Sequence, residues 1–430
     1  DELRYNIRRL RQHPSIATWC GNNEIREGLK YWGWAKKYPK EVYETFWSDY
    51  NKLFGKLIPE TLQTEDPSRP YIESSPDTVN WGRPHELGLG ESHYWGVWYG
   101  REPFEILRER IPRFMSEFGV QSFPMLSSIE RFARPEDYDL ESAVMKGHQK
   151  SSIGNDVILH YIRQDYPEPK TFADFVYLSQ VMQGQGIALG LRAHRAAAPY
   201  CMGTLYWQLN DAWPAVSWSS IDYYGAWKAL HYQTKRAFEP IILVPDTAKG
   251  KVLIAHDPLP NSVNAVLEVS IYDFSGNLHR EISHQPVCLD YALSVETLPM
   301  PDYVLDLDQE TARRSYIHYR LIEQATGREL AFFVDYAAKV KDLDLMPAAS
   351  YTLCHWKSDE GYTVELYSGI LLKDVYIDTG SPDWHVSDNF FDALPGQTYR
   401  LQITPRAGLS KKPAELKGLR LRHMGSVLPH

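Results

Sequence analysis

The sequence predicts an α/β domain followed by two small all-β domains. Over residues 1–240, short apolar segments typical of strands alternate with longer helical segments, and this alternation indicates βα units around a parallel sheet. Beyond residue 240, strand-like segments with apolar side chains at every second position are separated by turns that contain glycine. We therefore predict the C-terminal portion of an α/β domain over 1–240, followed by two small immunoglobulin-like β-sandwiches over 241–345 and 346–430.

Within the first domain, one segment has the periodicity of a helix, another has the composition of a helix, and five have the composition of strands. The predicted helices are 41–62, where apolar side chains recur on one side, and 172–198. Polar and aromatic residues follow several of the strands, as in an α/β barrel, whose active site lies at the carboxyl ends of its strands. Since such a barrel closes with eight strands, we expect these five to be its later part and the chain to begin within the domain. The predicted strands are 16–20, 71–73, 93–97, 113–116 and 203–208.

The composition argues against two classes of partner. Of the 430 residues, 43% are apolar and 23% are charged, which is ordinary for a globular protein. None of the apolar runs approaches the 18 or so residues of a membrane helix, so we expect no membrane partner. A net charge of −9 without a basic stripe argues against a nucleic-acid partner. Aromatic residues make up 13% of the chain, which suits either core packing or the stacking of sugar rings.

Two glutamates directly follow apolar strands of the first domain. Glu24 comes after the strand predicted at 16–20, and Glu117 comes after the strand predicted at 113–116. In a barrel, carboxylates at these positions lie on the active-site rim. A facing pair of carboxylates is what glycosidic bond cleavage requires, one as a protonated acid and the other as an ionised nucleophile. A single glutamate is most often a solvated surface charge, but the matching placement of two favours a catalytic pair.

Five motifs resemble segments of the glycoside hydrolase family 2 β-mannosidases, in the same order along the chain. Residues 19–24 (Trp-Cys-Gly-Asn-Asn-Glu) resemble the family's acid/base motif at barrel strand four, and residues 116–119 (Ser-Glu-Phe-Gly) resemble its nucleophile segment at strand seven. Segments 93–98, 207–214 and 387–392 resemble the strand-six loop, the strand-eight segment and part of the terminal β-domain. The resemblance covers most of the chain and implies strands four to eight of a (β/α)8 TIM barrel.

The resemblance also implies roles for individual residues. Glu117 would attack the anomeric carbon, and Glu24 would protonate the departing oxygen and then deprotonate water, which releases terminal β-mannose with retention. Asn23 would bind the sugar 2-hydroxyl, although an asparagine here could also cap the loop. Tyr99 could hold Glu117 ionised by a hydrogen bond. Four aromatic residues are candidates for the wall and floor of the sugar subsite, with core or rim packing as the alternative: Trp32, Trp95, Tyr99 and Trp207.

The predicted reaction needs no cofactor and no metal, and the sequence indicates neither. None of the four cysteines shows the CxxC spacing of a metal site. The chain has no G-x-S-x-G elbow of a serine hydrolase and no Gly-rich phosphate loop. Four histidines form no recognisable metal-binding pattern and are expected to be partly buried and hydrogen-bonded: His93, His148, His194 and His231.

Other functions are consistent with parts of the sequence. The nearest alternative is another family 2 specificity, such as β-galactosidase, β-glucuronidase or exo-β-glucosaminidase. A non-catalytic carbohydrate-binding fragment would keep the aromatic residues and the sandwiches, and an adhesion or scaffolding module rests on the two β-domains alone. The expected partners are a β-mannoside oligosaccharide or glycan and the missing N-terminal half of the enzyme, without which we expect the 430-residue piece to be poorly stable or inactive. The sequence assigns no cellular compartment.

Overall fold

The chain folds into two compact units. The computed structural model describes residues 1–77, 89–347, 350–409, 413, 415–416 and 418–428. The first unit comprises residues 1–96, 110–118 and 200–205, and the second comprises residues 97–109, 119–199 and 206–430. Both candidate catalytic glutamates, Glu24 and Glu117, belong to the first unit.

The described part of the first unit contains five α-helices, one before its first strand and four between its first and second strands: α1 Glu2–Leu10, α2 Ile25–Tyr31, α3 Trp34–Lys37, α4 Lys40–Lys52 and α5 Ile58–Glu65. The helix predicted over 41–62 is confirmed, since a π-helical turn at Leu53–Leu57 joins α4 to α5. Arg8 of α1 donates two hydrogen bonds to Glu65, at 2.7 and 2.8 Å, and so ties α1 to the end of α5.

Four strands of the first unit are short: β1 Trp19–Cys20, β2 Tyr71–Ile72, β3 Glu91–Tyr94 and β4 Phe114–Phe118. β1 pairs with β2 and β3 pairs with β4, both in parallel. Further parallel bridges join Asn23 to Ser75 and Met115 to Thr204. This pairing agrees with the predicted βα units, although the fifth predicted strand, 203–208, contributes only the bridge at Thr204. That the strands belong to an eight-stranded barrel stays a prediction.

Helices also dominate the first part of the second unit: α6 Leu126–Ile129, α7 Ala143–Gly147, α8 Gly154–Asp165, α9 Phe172–Arg195 and α10 Ala229–Ala237. α9 confirms the helix predicted over 172–198, and a capping box between Thr171 and Asp174 begins it. Its glycines allow close packing, because a Cβ at Gly184 would lie 3.1 Å from the backbone of Ala229 in α10. Among the described residues, no helix combines the length and apolarity needed to cross a bilayer.

The second unit continues with a β-sandwich of two antiparallel sheets, which are ordered β11-β10-β7-β8 and β5-β6-β9. Its strands are β5 Ile241–Asp246, β6 Lys251–His256, β7 Val263–Asp273, β8 Leu278–Leu289, β9 Ser294–Pro299, β10 Ser315–Glu323 and β11 Glu329–Asp335, with α11 Asp302–Leu305 and α12 Gln309–Arg314 between β9 and β10. Leu267, Val269 and Ile271 alternate along β7 and are fully buried in the core between the sheets, as their spacing predicts.

A second sandwich follows, with sheets ordered β12-β13-β17-β15 and β16-β14-β18. Its strands are β12 Tyr351–Ser358, β13 Gly361–Ser368, β14 Leu372–Asp378, β15 Trp384–Val386, β16 Phe391–Ala393, β17 Thr398–Pro405 and β18 Arg420–Arg422. Val364 and Leu366 of one sheet and Leu372 and Val375 of the other share a buried core. Two sandwiches are therefore present where all-β segments were predicted, and the boundaries at residues 240 and 345 stay predictions.

Candidate active site

Glu24 lies in the loop between β1 and α2, and Asn22 shapes this loop. The side-chain oxygen of Asn22 accepts hydrogen bonds from the backbone N–H of Ile25 at 3.1 Å and from Ser74 Oγ at 2.8 Å. The backbone N–H of Glu24 donates to the carbonyl of Ser75 at 2.7 Å. Glu24 has a φ of 57°, a left-handed conformation that is uncommon for a non-glycine residue and that clusters at functional sites.

Glu117 is the fourth residue of β4, and a β-bulge sets its direction. In the register between β3 and β4, Ser92 lies opposite Met115 and His93 lies opposite Glu117, so Ser116 is the extra residue. Such a bulge turns the side chains that follow it and is common next to active sites. It places Glu117, which is only 7% exposed, beside His93.

His93 lies between the two glutamates. Its Nδ1 atom is 2.8 Å from Glu24 Oε1 and 3.3 Å from Glu117 Oε2. The three contacting atoms of Glu24, His93 and Glu117 all lie within 4.8 Å of one another. The structure therefore brings the two predicted catalytic carboxylates together, through a histidine to which no role was assigned.

The protonation of Glu117 differs from the expectation of an ionised nucleophile. Burial raises the pKa of Glu117 to about 7; His93 and a hydrogen bond from Trp95 act to lower this pKa, while Glu24 and Glu91 act to raise it. Burial also opposes the charged form of His93, but the hydrogen bond with Glu24 and the charges of Glu117, Glu24 and Glu91 outweigh it and raise the pKa of His93. The expectation of an ionised Glu117 did not include the burial of its side chain, because a position near the end of a strand does not show how much water is excluded there.

Trp95 supports Glu117 directly. Its side chain is 7% exposed and hydrogen-bonds to Glu117. Because an indole N–H can only donate, this contact favours the ionised carboxylate. The sequence assigned Trp95 to the sugar subsite and assigned the supporting hydrogen bond to Tyr99, so the structure adds a function to Trp95 that the pattern did not indicate.

Asn23 and Trp32 lie in the first unit with exposed side chains. Asn23 is exposed and adjacent to Glu24, and the capping that could have explained an asparagine here is provided by Asn22. Trp32 directly follows α2, is 53% exposed and packs edge to face against Trp34 with ring centroids 5.9 Å apart. Neither residue is buried in the core, so both are accessible to a ligand.

Tyr99 and Trp207 belong to the second unit, where they are 54% and 41% exposed. The peptide bond between Trp207 and Gln208 is cis. A Cβ at Gly119 would clash with the carbonyl oxygen of Trp207, so glycine is needed there for the two backbones to pass. Core packing is thus excluded for both aromatic side chains, and their roles in a sugar subsite stay predictions.

A third carboxylate, Glu91, and two serines extend the cluster. Ser75 Oγ lies 2.9 Å from His93 Nε2 and 3.1 Å from Glu91 Oε2, and Ser116 Oγ hydrogen-bonds to the same oxygen of Glu91. This network was not predicted from the sequence. The sequence did contain a signal for it. Glu91 and His93 are two positions apart in a strand, so their side chains lie on the same face.

The expectation that the four histidines form no metal-binding pattern stays a prediction, but His93 does group with two glutamates. In the described part of the chain, Glu24, His93 and Glu117 group at a spacing that could hold a metal ion. The 2.8 Å between His93 Nδ1 and Glu24 Oε1 is nevertheless shorter than the ~3.4 Å that separates two ligands of a tetrahedral zinc ion at ~2.1 Å. We therefore interpret the cluster as hydrogen-bonded acid and base groups.

Known proteins similar to this chain are β-mannosidases. Residues 350–427 match the Ig_mannosidase family, described as an Ig-fold domain, which confirms an immunoglobulin-like fold for the second sandwich. The chain is 29% identical to the β-mannosidase of Rattus norvegicus, with 91% of this chain and 47% of the relative covered. It is 36% identical to β-mannosidase B of Aspergillus clavatus, with 96% of this chain and 50% of the relative covered.

Solved structures agree with these relatives. The β-D-mannosidase of Dictyoglomus thermophilum has a TM-score of 0.79 and 27% identity, with 98% of this chain and 50% of that chain covered. An exo-chitosanase of Amycolatopsis orientalis shares the fold, with a TM-score of 0.68, 15% identity, and 99% of this chain and 52% of that chain covered. The chain spans about half the length of the curated relatives it matches. Motifs, fold and relatives agree, and the chain belongs to the β-mannosidases of glycoside hydrolase family 2.

Proposed function

We propose that the protein carrying this chain hydrolyses terminal, non-reducing β-D-mannosides with retention of configuration. The observation that carries this proposal is the approach of Glu24 and Glu117, whose contacting oxygen atoms lie within 4.8 Å. Retaining glycosidases hold their two carboxyl groups about 5–5.5 Å apart, whereas inverting enzymes need about 6.5–9.5 Å to admit a water molecule. The short separation supports a direct attack by one carboxylate on the sugar.

The two glutamates divide the chemistry of a double displacement. In the first step, a Glu117 oxygen bonds to the anomeric carbon, the glycosidic C–O bond breaks, and the proton of Glu24 moves to the departing oxygen. In the second step, Glu24 takes a proton from water, the water oxygen bonds to the anomeric carbon, and the ester to Glu117 breaks. Atoms and charges balance without a cofactor or a metal.

His93 and Trp95 favour the ionised form of Glu117. The reactive form requires one proton on the acid side and an ionised Glu117. The hydrogen bond from Trp95 and the positive charge that His93 can carry both act to lower the pKa of Glu117 and so oppose the effect of its burial.

Two predicted residues of the first unit contribute to the proposed sugar subsite. Asn23 would bind the 2-hydroxyl, because it is exposed and directly precedes the acid/base residue. Trp32 would supply apolar surface for the sugar ring, which its exposure permits. The specificity for mannose is supported by the names of the relatives at 29% and 36% identity.

The nucleophile can be tested by trapping its ester with a 2-deoxy-2-fluoro-β-mannosyl fluoride. We expect one fluorosugar per protein on the peptide that contains Glu117, no label in Glu117→Gln, and normal labelling in the control Glu41→Gln, whose side chain is exposed on α4. A label on another residue, or an α-configured first product seen by NMR, would contradict the proposed roles.

The sugar can be tested with aryl β-glycosides of mannose, galactose, glucuronic acid and glucosamine. We expect the highest kcat/KM for the mannoside. A preference for one of the other sugars would replace the specificity but keep the mechanism. If the enzyme hydrolysed none of the four and Glu117 took up no label, the catalytic proposal would be wrong.

A further inference from the structure

Glu91 lies behind His93. Its carboxylate is the acceptor of the hydrogen bonds that connect Glu91 to the described residues of the cluster. Its Oε2 atom is 3.1 Å from Ser75 Oγ and also receives a hydrogen bond from Ser116 Oγ. Its Oε1 atom accepts from the backbone N–H of Asp77 at 2.5 Å. An ionised carboxylate only accepts hydrogen bonds, and three donors from described residues surround the carboxylate of Glu91.

This arrangement fixes the direction of the hydrogen bond between Ser75 and His93. A serine hydroxyl has a single hydrogen, and at Ser75 that hydrogen points to Glu91. Ser75 Oγ must therefore accept at its other contact, where His93 Nε2 lies 2.9 Å away. Consequently, Nε2 of His93 carries a hydrogen in either protonation state of the ring.

The other ring nitrogen then determines where the acid proton lies. Nδ1 of His93 is 2.8 Å from Glu24 Oε1, and both atoms are acceptors when they carry no hydrogen. A contact of this length between two unprotonated acceptors would be repulsive, so one proton lies between them, either on Nδ1 or on Glu24. Glu117 Oε2, at 3.3 Å from Nδ1, adds a second negative charge that retains this proton.

We propose that Glu91 and Ser75 are positioning residues that lock His93 with a hydrogen on Nε2, so that His93 Nδ1 and Glu24 share the proton that Glu24 delivers to the leaving oxygen. This inference rests on the proposed function. Among the residues that the structure describes, the groups whose charges act on His93 are the carboxylates of Glu24, Glu117 and Glu91. Removing the charge of Glu91 should therefore weaken the hold on the shared proton.

The pH dependence of kcat/KM tests the inference. Loss of the shared proton removes the general acid and produces the basic limb of the profile. In Glu91→Gln and Ser75→Ala we expect this limb to move to lower pH by about one unit. Ser75→Thr keeps the hydroxyl and should keep the wild-type limb, and Glu41→Gln controls for the loss of a distant charge.

Two aryl mannosides distinguish a proton effect from general damage. A 2,4-dinitrophenolate leaves without protonation, so the basic limb for that substrate should not move in the variants, whereas the limb for a poor phenolic leaving group should. Equal shifts for both substrates, or no shift for either, would overturn the inference.

The tautomer of His93 can be measured without turnover, from the ring ¹⁵N shifts of protein labelled at histidine and assigned with His93→Gln. We expect a protonated Nε2 in the wild type and an altered ring environment in Ser75→Ala. A wild-type ring protonated only at Nδ1 would refute the inference even if Glu117 is labelled by the fluorosugar. A protonated Nε2 in a protein that neither hydrolyses nor is labelled would instead contradict the proposed function.

Discussion

Replacing Glu117 by glutamine should make the protein more stable at alkaline pH, although it should abolish turnover. The side chain is largely buried, and its pKa rises from 4.5 to about 7 on folding. Between these values the folded state binds more protons than the unfolded state, so stability falls as pH rises. Above the folded-state pKa of Glu117, the ionised carboxylate lowers the free energy of unfolding by a constant amount. Glutamine does not titrate, so the variant avoids this loss.

The size of the effect follows from the pKa shift. The shift is about 2.5 pH units, and one unit corresponds to about 1.4 kcal/mol, so the ionised side chain costs about 3 kcal/mol at pH 8. At pH 5 most of this cost is absent, because Glu117 is protonated in the folded state. His93 offsets part of the gain, since its charged ring loses a partner in the variant. We therefore expect the advantage of Glu117→Gln to grow by up to about 2–3 kcal/mol from pH 5 to pH 8.

Urea unfolding followed by tryptophan fluorescence measures this difference. The wild type, Glu117→Gln and the exposed control Glu41→Gln would be compared at pH 5 and pH 8, with the same slope against urea required of all three. The control should follow the wild type at both values. An advantage of Glu117→Gln that stays constant or shrinks between pH 5 and pH 8 would show that Glu117 is not a carboxylate destabilised by burial.

Two further substitutions test the subsite and the backbone beside it. Asn23→Ala should lower kcat/KM for an aryl β-mannoside by roughly 10²-fold or more, because the lost hydrogen bond strengthens in the transition state. The loss should be much smaller for the 2-deoxy analogue, and equal losses on both substrates would argue against a contact with the 2-hydroxyl. Gly119→Ala should destabilise the protein by about 1–3 kcal/mol in urea, since its Cβ would clash with the carbonyl of Trp207. Gly55→Ala is the matched control, because a Cβ at Gly55 meets nothing within 4 Å, and it should be neutral or slightly stabilising; similar losses in both variants would contradict the close approach at Gly119.

Local patterns were sufficient to predict the type and order of the elements. The long helix α9 could be predicted from its composition, and β7 from the alternation of Leu267, Val269 and Ile271, because helical periodicity and strand alternation are properties of neighbouring residues. Glu24 and Glu117 could be chosen for the same reason, since each stands in a short motif beside an apolar segment, although the structure places Glu117 within β4 and not after it. Strand lengths were predicted less well, and segment 203–208 contributes only a bridge at Thr204.

Tertiary contacts decided the surroundings of the two glutamates and the raised pKa of Glu117. His93 is separated from Glu24 by 69 positions, yet its ring nitrogen touches Glu24 and Glu117. Ser75, from a further segment of the chain, lies 2.9 Å from the other ring nitrogen and also contacts Glu91. The raised pKa of Glu117 is a consequence of burial by chain segments distant in sequence. A motif can specify which side chains are present, but the charge that a carboxylate carries depends on how much water is excluded around it and on which charges folding brings near it.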